Sequence, residues 1–155
     1  MDDTIMINKI RHGTVIDHIP VRKALMIPRI LRLTEGKDTI AILVNAKSRL
    51  MDRKDIVKIE NRILKDSEVN MLSLIAPGAT INMIKDYKVA EKKSAVIPQR
   101  IEGLLKCPNG HCITNHDPEA LTVFDLVTKS PLEMRCGYCN VSIDESEALK
   151  QVSGE

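Results

Sequence analysis

The chain has 155 residues, of which 43% are hydrophobic and 28% charged; 23 Lys and Arg stand against 21 Asp and Glu, for a net charge of +2. This suits one ordinary globular domain or two small ones, and is too weak a charge to mark a nucleic-acid partner. Aromatic residues are limited to Phe124, Tyr87 and Tyr138, so the cores must be aliphatic and stacking platforms for single-stranded nucleic acid are nearly absent. Met1-Asp2-Asp3 lacks a signal-peptide layout and no apolar run has membrane-span length, so a cytoplasmic protein without a membrane is expected.

Residues 5–17 alternate loosely around Ile5, Ile7, Ile10, Val15 and Ile16, and read as a strand with a bend or bulge at Gly13. Pro20 suits a helix start, and Val21, Ala24, Leu25, Ile27, Ile30 and Leu31 recur at helical spacing up to Glu35-Gly36-Lys37. Pro28 inside that pattern predicts a kink. Ile40 to Val44 suits a short buried strand, and 45–53 a polar turn. Residues 54–60 read as the next strand, with Lys54 and Lys58 on one face because strand side chains repeat every second residue. Asp66-Ser67-Glu68 carries helix N-cap chemistry. Val69, Leu72, Ile75 and Ala76 form its apolar stripe, and Pro77-Gly78 stops it. Thr80 to Ile84 and Tyr87 to Ala90 complete a strand or ribbon. The order is that of a ferredoxin-like βαββαβ domain, an α+β arrangement with one sheet and its helices on one face.

Residues 91–100 are charged, aperiodic and carry Pro98, and read as a linker. The division expected is 1–92 for the first domain, 93–100 for the linker and 101–155 for the second. Such a small aliphatic unit cannot build a sufficient core and needs a staple. The chain's four cysteines supply it, as Cys107-x4-Cys112 and Cys136-x2-Cys139, with turn residues Pro108, Asn109, Gly110 and Gly137 inside the pairs. Paired short loops bring four thiolates around one ion, the pattern of a structural zinc site with no open position for water. Two disulfides, a redox Cys-x-x-Cys and a rubredoxin-like iron centre are the alternatives, and His111 between two cysteines is expected to be a solvated loop residue. Leu121 to Val127 and Leu132 to Met134 read as β segments, giving a small β-rich, zinc-ribbon-like domain.

No nucleophile elbow, phosphate loop or His-Glu-x-x-His motif is present, and each cysteine is committed to the metal. Asp17-His18 would serve as an acid/base pair only if a bend put both on one face. The more economical reading joins Asp17 and His18 with Lys54, Lys58, Lys92 and Asn82 as a pocket for a polyanionic phosphate. Against it stands the ordinary expectation that each lysine is a solvated surface residue. A stand-alone nucleotide-sensing or nucleic-acid-binding zinc-ribbon protein is the alternative; Asp117, Glu119, Asp125 and Glu133 against Lys129 and Arg135 disfavour the second form.

Three segments carry a resemblance: Arg11-His12-Gly13-Thr14-Val15-Ile16-Asp17-His18-Ile19-Pro20, Arg53-Lys54-Asp55-Ile56-Val57-Lys58-Ile59-Glu60-Asn61 and Ala76-Pro77-Gly78-Ala79-Thr80-Ile81-Asn82. Together with the cysteine module they resemble, in order and over essentially the whole chain, the regulatory chain of aspartate carbamoyltransferase. The resemblance implies a non-catalytic subunit that forms homodimers within a larger hetero-oligomer. It would dock on the catalytic chain through its zinc domain and bind CTP or ATP, with UTP a third candidate, to control pyrimidine biosynthesis. It implies an effector site of Ile7, Ile10, Asp17, His18, Lys54, Lys58, Asn82, Ile84, Tyr87, Val89 and Lys92. In that site Asp17 and Lys58 face ribose and base, His18, Asn82 and Lys92 the phosphates, and Ile10, Ile84, Tyr87 and Val89 the base. The implied zinc ligands are Cys107, Cys112, Cys136 and Cys139.

Overall fold

A computed structural model describes residues 9–154; Ile5 and Ile7 lie outside them. Strands β1 (Gly13–Ile19), β2 (Ile40–Ser48), β3 (Asp52–Glu60), β4 (Thr80–Lys85) and β5 (Lys88–Ser94) form an antiparallel sheet in the order β2-β3-β1-β4-β5. The expected β-α-β-β-α-β succession is therefore present, with β5 added at one edge. Gly13 begins β1 rather than bending it, and a side chain there is excluded because a Cβ would sit 2.1 Å from the Ile59 carbonyl oxygen. The irregularity lies further on: the β1–β3 register shifts between Ile16 and Ile19, and His18 takes a left-handed backbone, φ 56°.

The first helical segment is broken, not kinked. A 3-10 turn (Lys23–Met26), a single turn α1 (Ile27–Ile30) and a second 3-10 turn (Leu33–Glu35) follow one another. Pro28 has no N–H to donate into a continuous helix, so the chain restarts at Ile27 and leaves the proline in a first turn, where that donor would be unpaired anyway. The stripe still works: Ala24, Ile27, Ile30, Leu31 and Leu33 are buried, while Leu25 is exposed. Asp55, fully buried, accepts the backbone N–H groups of Ala24 and Asn45 and ties this segment to β2.

β2 departs from the expected buried strand. It runs through the predicted turn to Ser48 and is an edge, with Ile40, Ala41, Leu43 and Val44 half-buried and Ile42 exposed. A short apolar run cannot tell a covered strand from an edge strand that lacks its neighbour. α2 (Asp66–Ile75) begins one residue earlier than its capping chemistry suggested: Lys65 is the cap residue, and Glu68 reaches back to accept its N–H at 3.1 Å.

The second sheet, β6 (Arg100–Glu102), β7 (Val123–Lys129), β8 (Leu132–Cys136) and β9 (Ser142–Asp144), is antiparallel in chain order. β5 extends to Ser94, so 95–99 connects the sheets, and Ala95 and Ile97 in it are buried. α3 (Glu145–Ser153) was not anticipated, although Asp144-x-x-Glu147 is a helix-start signature: the Asp144 carboxylate accepts the Glu147 N–H at 2.9 Å. The two cores interlock. Leu74 of α2 packs into the core of the second sheet, while Leu149 and Val152 of α3 pack against the first. A cleft of about 950 Å³ remains between them, walled by Arg29, Arg32, Arg62, Met71, Leu104 and Gln151 among others. No helix among the described residues is long and apolar enough to cross a membrane.

Candidate functional site

Cys107, Cys112 and Cys136 are buried and Cys139 half-buried, and their four sulfurs lie within 4.8 Å of one another. The Cys107–Cys139 and Cys112–Cys136 separations are 3.6 and 3.8 Å. Those are non-bonded distances and the thiols are free, which removes the two-disulfide alternative. They also fit a cation: a tetrahedron with metal–sulfur bonds of about 2.3 Å has edges of about 3.8 Å. His111 is exposed and lies outside the cluster.

Local turns aim the sulfurs. The Cys112 N–H donates to the Asn109 carbonyl, closing the first loop, and the Asn140 N–H to the Cys136 carbonyl, closing the second. The Asn115 amide donates to the carbonyls of both Cys107 and Asn109 at 2.9 and 2.7 Å. The backbone N–H two residues beyond each of Cys107, Cys112 and Cys139 points at that sulfur, and the side chains of Thr114 and Asn109 donate to Cys112 and Cys139. These donors are matched to thiolates.

The acidities show why a cation belongs there. Burial, helped by the neighbouring sulfurs, pushes the Cys107 thiol up to about 12. The Val141 N–H and then the Asn109 amide pull Cys139 down to about 6, and the Thr114 hydroxyl pulls Cys112 down. Four thiols this close cannot all ionise against one another, whereas a dication would ionise all of them.

The second constellation lies on the open face of the first sheet. Register places Lys58 opposite Val15, Val15 opposite Asn82, and Asn82 opposite Lys92, so one row crosses β3, β1, β4 and β5. Adjacent strands are about 4.8 Å apart, so the two lysines flank Asn82 with roughly 14 Å between their backbones. Neither lysine has an ion-pair partner among the described residues. In the next row Asp17 is opposite Thr80; Lys54 Nζ lies 2.9 Å from the Asp17 carboxylate, and His18 Nδ1 shares a 3.1 Å hydrogen bond with the Thr80 hydroxyl. The bulge supplies the bend required for Asp17 and His18 to reach one face. Burial raises the Asp17 carboxyl, but the Lys54 hydrogen bond, the His18 N–H and the Lys54 and His18 charges hold it below the usual carboxylate range.

Ile84 lies opposite Gly13 and Val89 at the far end of this face, beside a cavity of about 400 Å³ that Ile84 lines with His12 and Asn61. Ile10 and Ile84 are buried, and Tyr87 and Val89 exposed. Ile7 lies outside the described residues. Thr80 and Val15 complete the rows, and only register shows that these strand residues stand at the site.

Comparison with known proteins divides the chain at the same place. Residues 5–96 match the family model described as the aspartate carbamoyltransferase regulatory chain, allosteric domain, and 99–149 that of its metal binding domain. Similar proteins include the aspartate carbamoyltransferase regulatory chains of Saccharolobus islandicus (strain L.S.2.15) and Saccharolobus solfataricus. Each is 47% identical over 152 residues, covering 97% of this chain and 95% of the relative. That of Sulfolobus acidocaldarius is 44% identical over 151 residues, covering 97% and 92%.

Proposed function

The chain belongs to the family of aspartate carbamoyltransferase regulatory chains, and from that premise we propose that its first domain senses nucleoside triphosphates and its second docks on the catalytic chain. It is a non-catalytic subunit with an allosteric and a metal-binding domain, and four cysteines positioned for the metal. The observation that carries the nucleotide reading is the cross-sheet row: two lysines with no ion-pair partner among the described residues flank Asn82, beside Asp17, Lys54 and His18. Ammonium groups suit a triphosphate, and a carboxylate held ionised suits ribose hydroxyls. Ile10, Ile84, Tyr87 and Val89 would then face the base, and CTP, ATP and UTP are the candidate effectors; Ile7 belongs to the proposed set from the sequence alone.

Zinc is the metal we assign, because a closed set of four thiolates suits a redox-silent tetrahedral ion. When bound it holds the two halves of the second domain together, while Asn115 and the backbone donors orient the sulfurs. Exposed Ile113 and Tyr138, adjacent in the chain to metal-site cysteines, form the proposed docking face for the catalytic chain. A second copy would pair along β2: among the described residues no strand covers its outer edge, whereas the opposite edge, β5, carries Lys88, Lys92 and Lys93. We place the assembly in the cytoplasm, where the thiols stay reduced.

Effector binding regulates only by favouring one global state of the assembly, and about 1–3 kcal/mol of coupling suffices. The Thr14 hydroxyl, one residue from Val15 in the row, donates to the Arg62 carbonyl at 2.6 Å, and Arg62 pairs with Glu68 of α2. α2 in turn carries Leu74 into the metal-domain core. The test mixes metal-loaded chain with purified aspartate carbamoyltransferase catalytic trimer and follows size and aspartate dependence with and without CTP, ATP or UTP. A larger complex with nucleotide-shifted aspartate dependence is expected. A metal-loaded chain that forms no complex, or a complex indifferent to all three nucleotides, overturns the reading.

A further inference from the structure

Four thiolates around a dication carry a net double negative charge, which a buried site must compensate with hydrogen-bond donors. Backbone N–H groups do part of this, but any residue can supply them. The side-chain donors are different, because the sequence must choose them. Among the described residues there are two: the Asn109 amide on Cys139 and the Thr114 hydroxyl, 3.2 Å from Cys112 Sγ. Asn109 has further work, since its Oδ1 accepts the His111 N–H and its carbonyl accepts from Asn115 and Cys112. The Thr114 hydroxyl has no other hydrogen-bond partner among the described residues.

We infer that Thr114 is a positioning residue of the metal centre, whose hydroxyl compensates the charge on Cys112 and sets how tightly the ion is held. Geometry supports this over a purely local role. Thr114 lies in the 3-10 turn Ile113–Asn115 directly after the ligand, half-buried, with its hydroxyl donating to the sulfur. Cys112 is 2% exposed, so water does not replace that donor if it is lost. A hydrogen bond to a thiolate stabilises the sulfur lone pairs, which raises the energy of moving an electron from sulfur to a bound metal ion. This inference rests on reading the four sulfurs as a metal centre, and metal stoichiometry of the unsubstituted chain tests that reading separately.

The experiment uses the full chain loaded with Co²⁺, comparing Thr114→Val, which keeps shape and removes the hydroxyl, with Thr114→Ser, which keeps the hydroxyl. In Thr114→Val the sulfur-to-cobalt charge-transfer band should move to lower energy, and chelator competition should show affinity reduced roughly tenfold to a hundredfold. Thr114→Ser should restore both. A packing role alone would leave the band in place. Should Thr114→Val not fold, Thr114→Ala removes the same hydroxyl without bulk and gives the same reading. Unchanged band and affinity in the variant without hydroxyl, or equal loss in Thr114→Ser, overturns the inference. If the unsubstituted chain binds no metal, the metal reading itself falls.

Discussion

Leu74→Ala probes the joint between the two domains. Leu74 is 2% exposed and, though carried by a helix of the first domain, packs with Ile97, Ile101, Leu105, Phe124 and the cysteines of the second. Truncating a packed leucine costs about 2–5 kcal/mol, from lost transfer energy and the cavity left behind. Folding of so small a metal module is linked to metal binding, so stability withdrawn from its core appears as weaker metal affinity. At about 1.4 kcal/mol per decade, a loss of about 3 kcal/mol lowers apparent metal affinity about a hundredfold. Chelator competition measures this directly, with nucleotide binding as the readout of the first domain. The control is Leu72→Ala, two residues away on the same helix, buried wholly in the first core. It should destabilise the first domain to urea while changing metal affinity less than about threefold. If Leu74→Ala weakens metal binding no more than Leu72→Ala does, the interlocked cores do not transmit energy and the reasoning is wrong.

Other consequences are equally open to measurement. Because the folded Asp17 carboxyl is held below its ordinary 3.8, its stabilising contribution is complete above that value and is lost as pH falls through the lower folded one. Melting temperatures followed down to about pH 3 should therefore fall more steeply for the natural chain than for Asp17→Asn; parallel curves would contradict the Lys54 pairing. Ile42→Lys on the outer strand β2 should give a monomer by sedimentation while nucleotide binding persists, and an undiminished dimer would place the contact elsewhere. Cys136→Ser should release the metal and abolish association with catalytic trimers while sparing nucleotide binding, and loss of both functions together would contradict two separable domains. Lys92→Ala should weaken triphosphates more than nucleosides in direct titration; equal weakening would remove its phosphate role.

What could be read from the chain alone was local. Cysteines with two and four residues between them bend around one ion because short loops close cheaply, and no longer-range knowledge is needed to see it. Lys54 and Lys58 share a face because a strand repeats every second residue, and Pro77-Gly78 had to end a helix. The βαββαβ order also followed from local periodicities taken in succession. The α3 start at Asp144 is equally local, written in Asp144-x-x-Glu147.

The remainder depended on segments distant in the chain. Lys58, Asn82 and Lys92 become one row through the register of β3, β1, β4 and β5, which side-chain packing sets across gaps of many residues. Asp17 and His18 reach one face because the β1–β3 pairing slips between Ile16 and Ile19, and nothing in Val-Ile-Asp-His-Ile announces the slip. The apolar run at Ile40 suited a covered strand as well as an edge until neighbours were counted. Leu74 lies off the stripe of Val69, Leu72 and Ile75, and its burial follows from a second domain closing on the outer side of the helix. Periodicity reveals which face of an element is apolar; what comes to cover that face is settled by packing between elements, a non-local free energy that no short window of sequence contains.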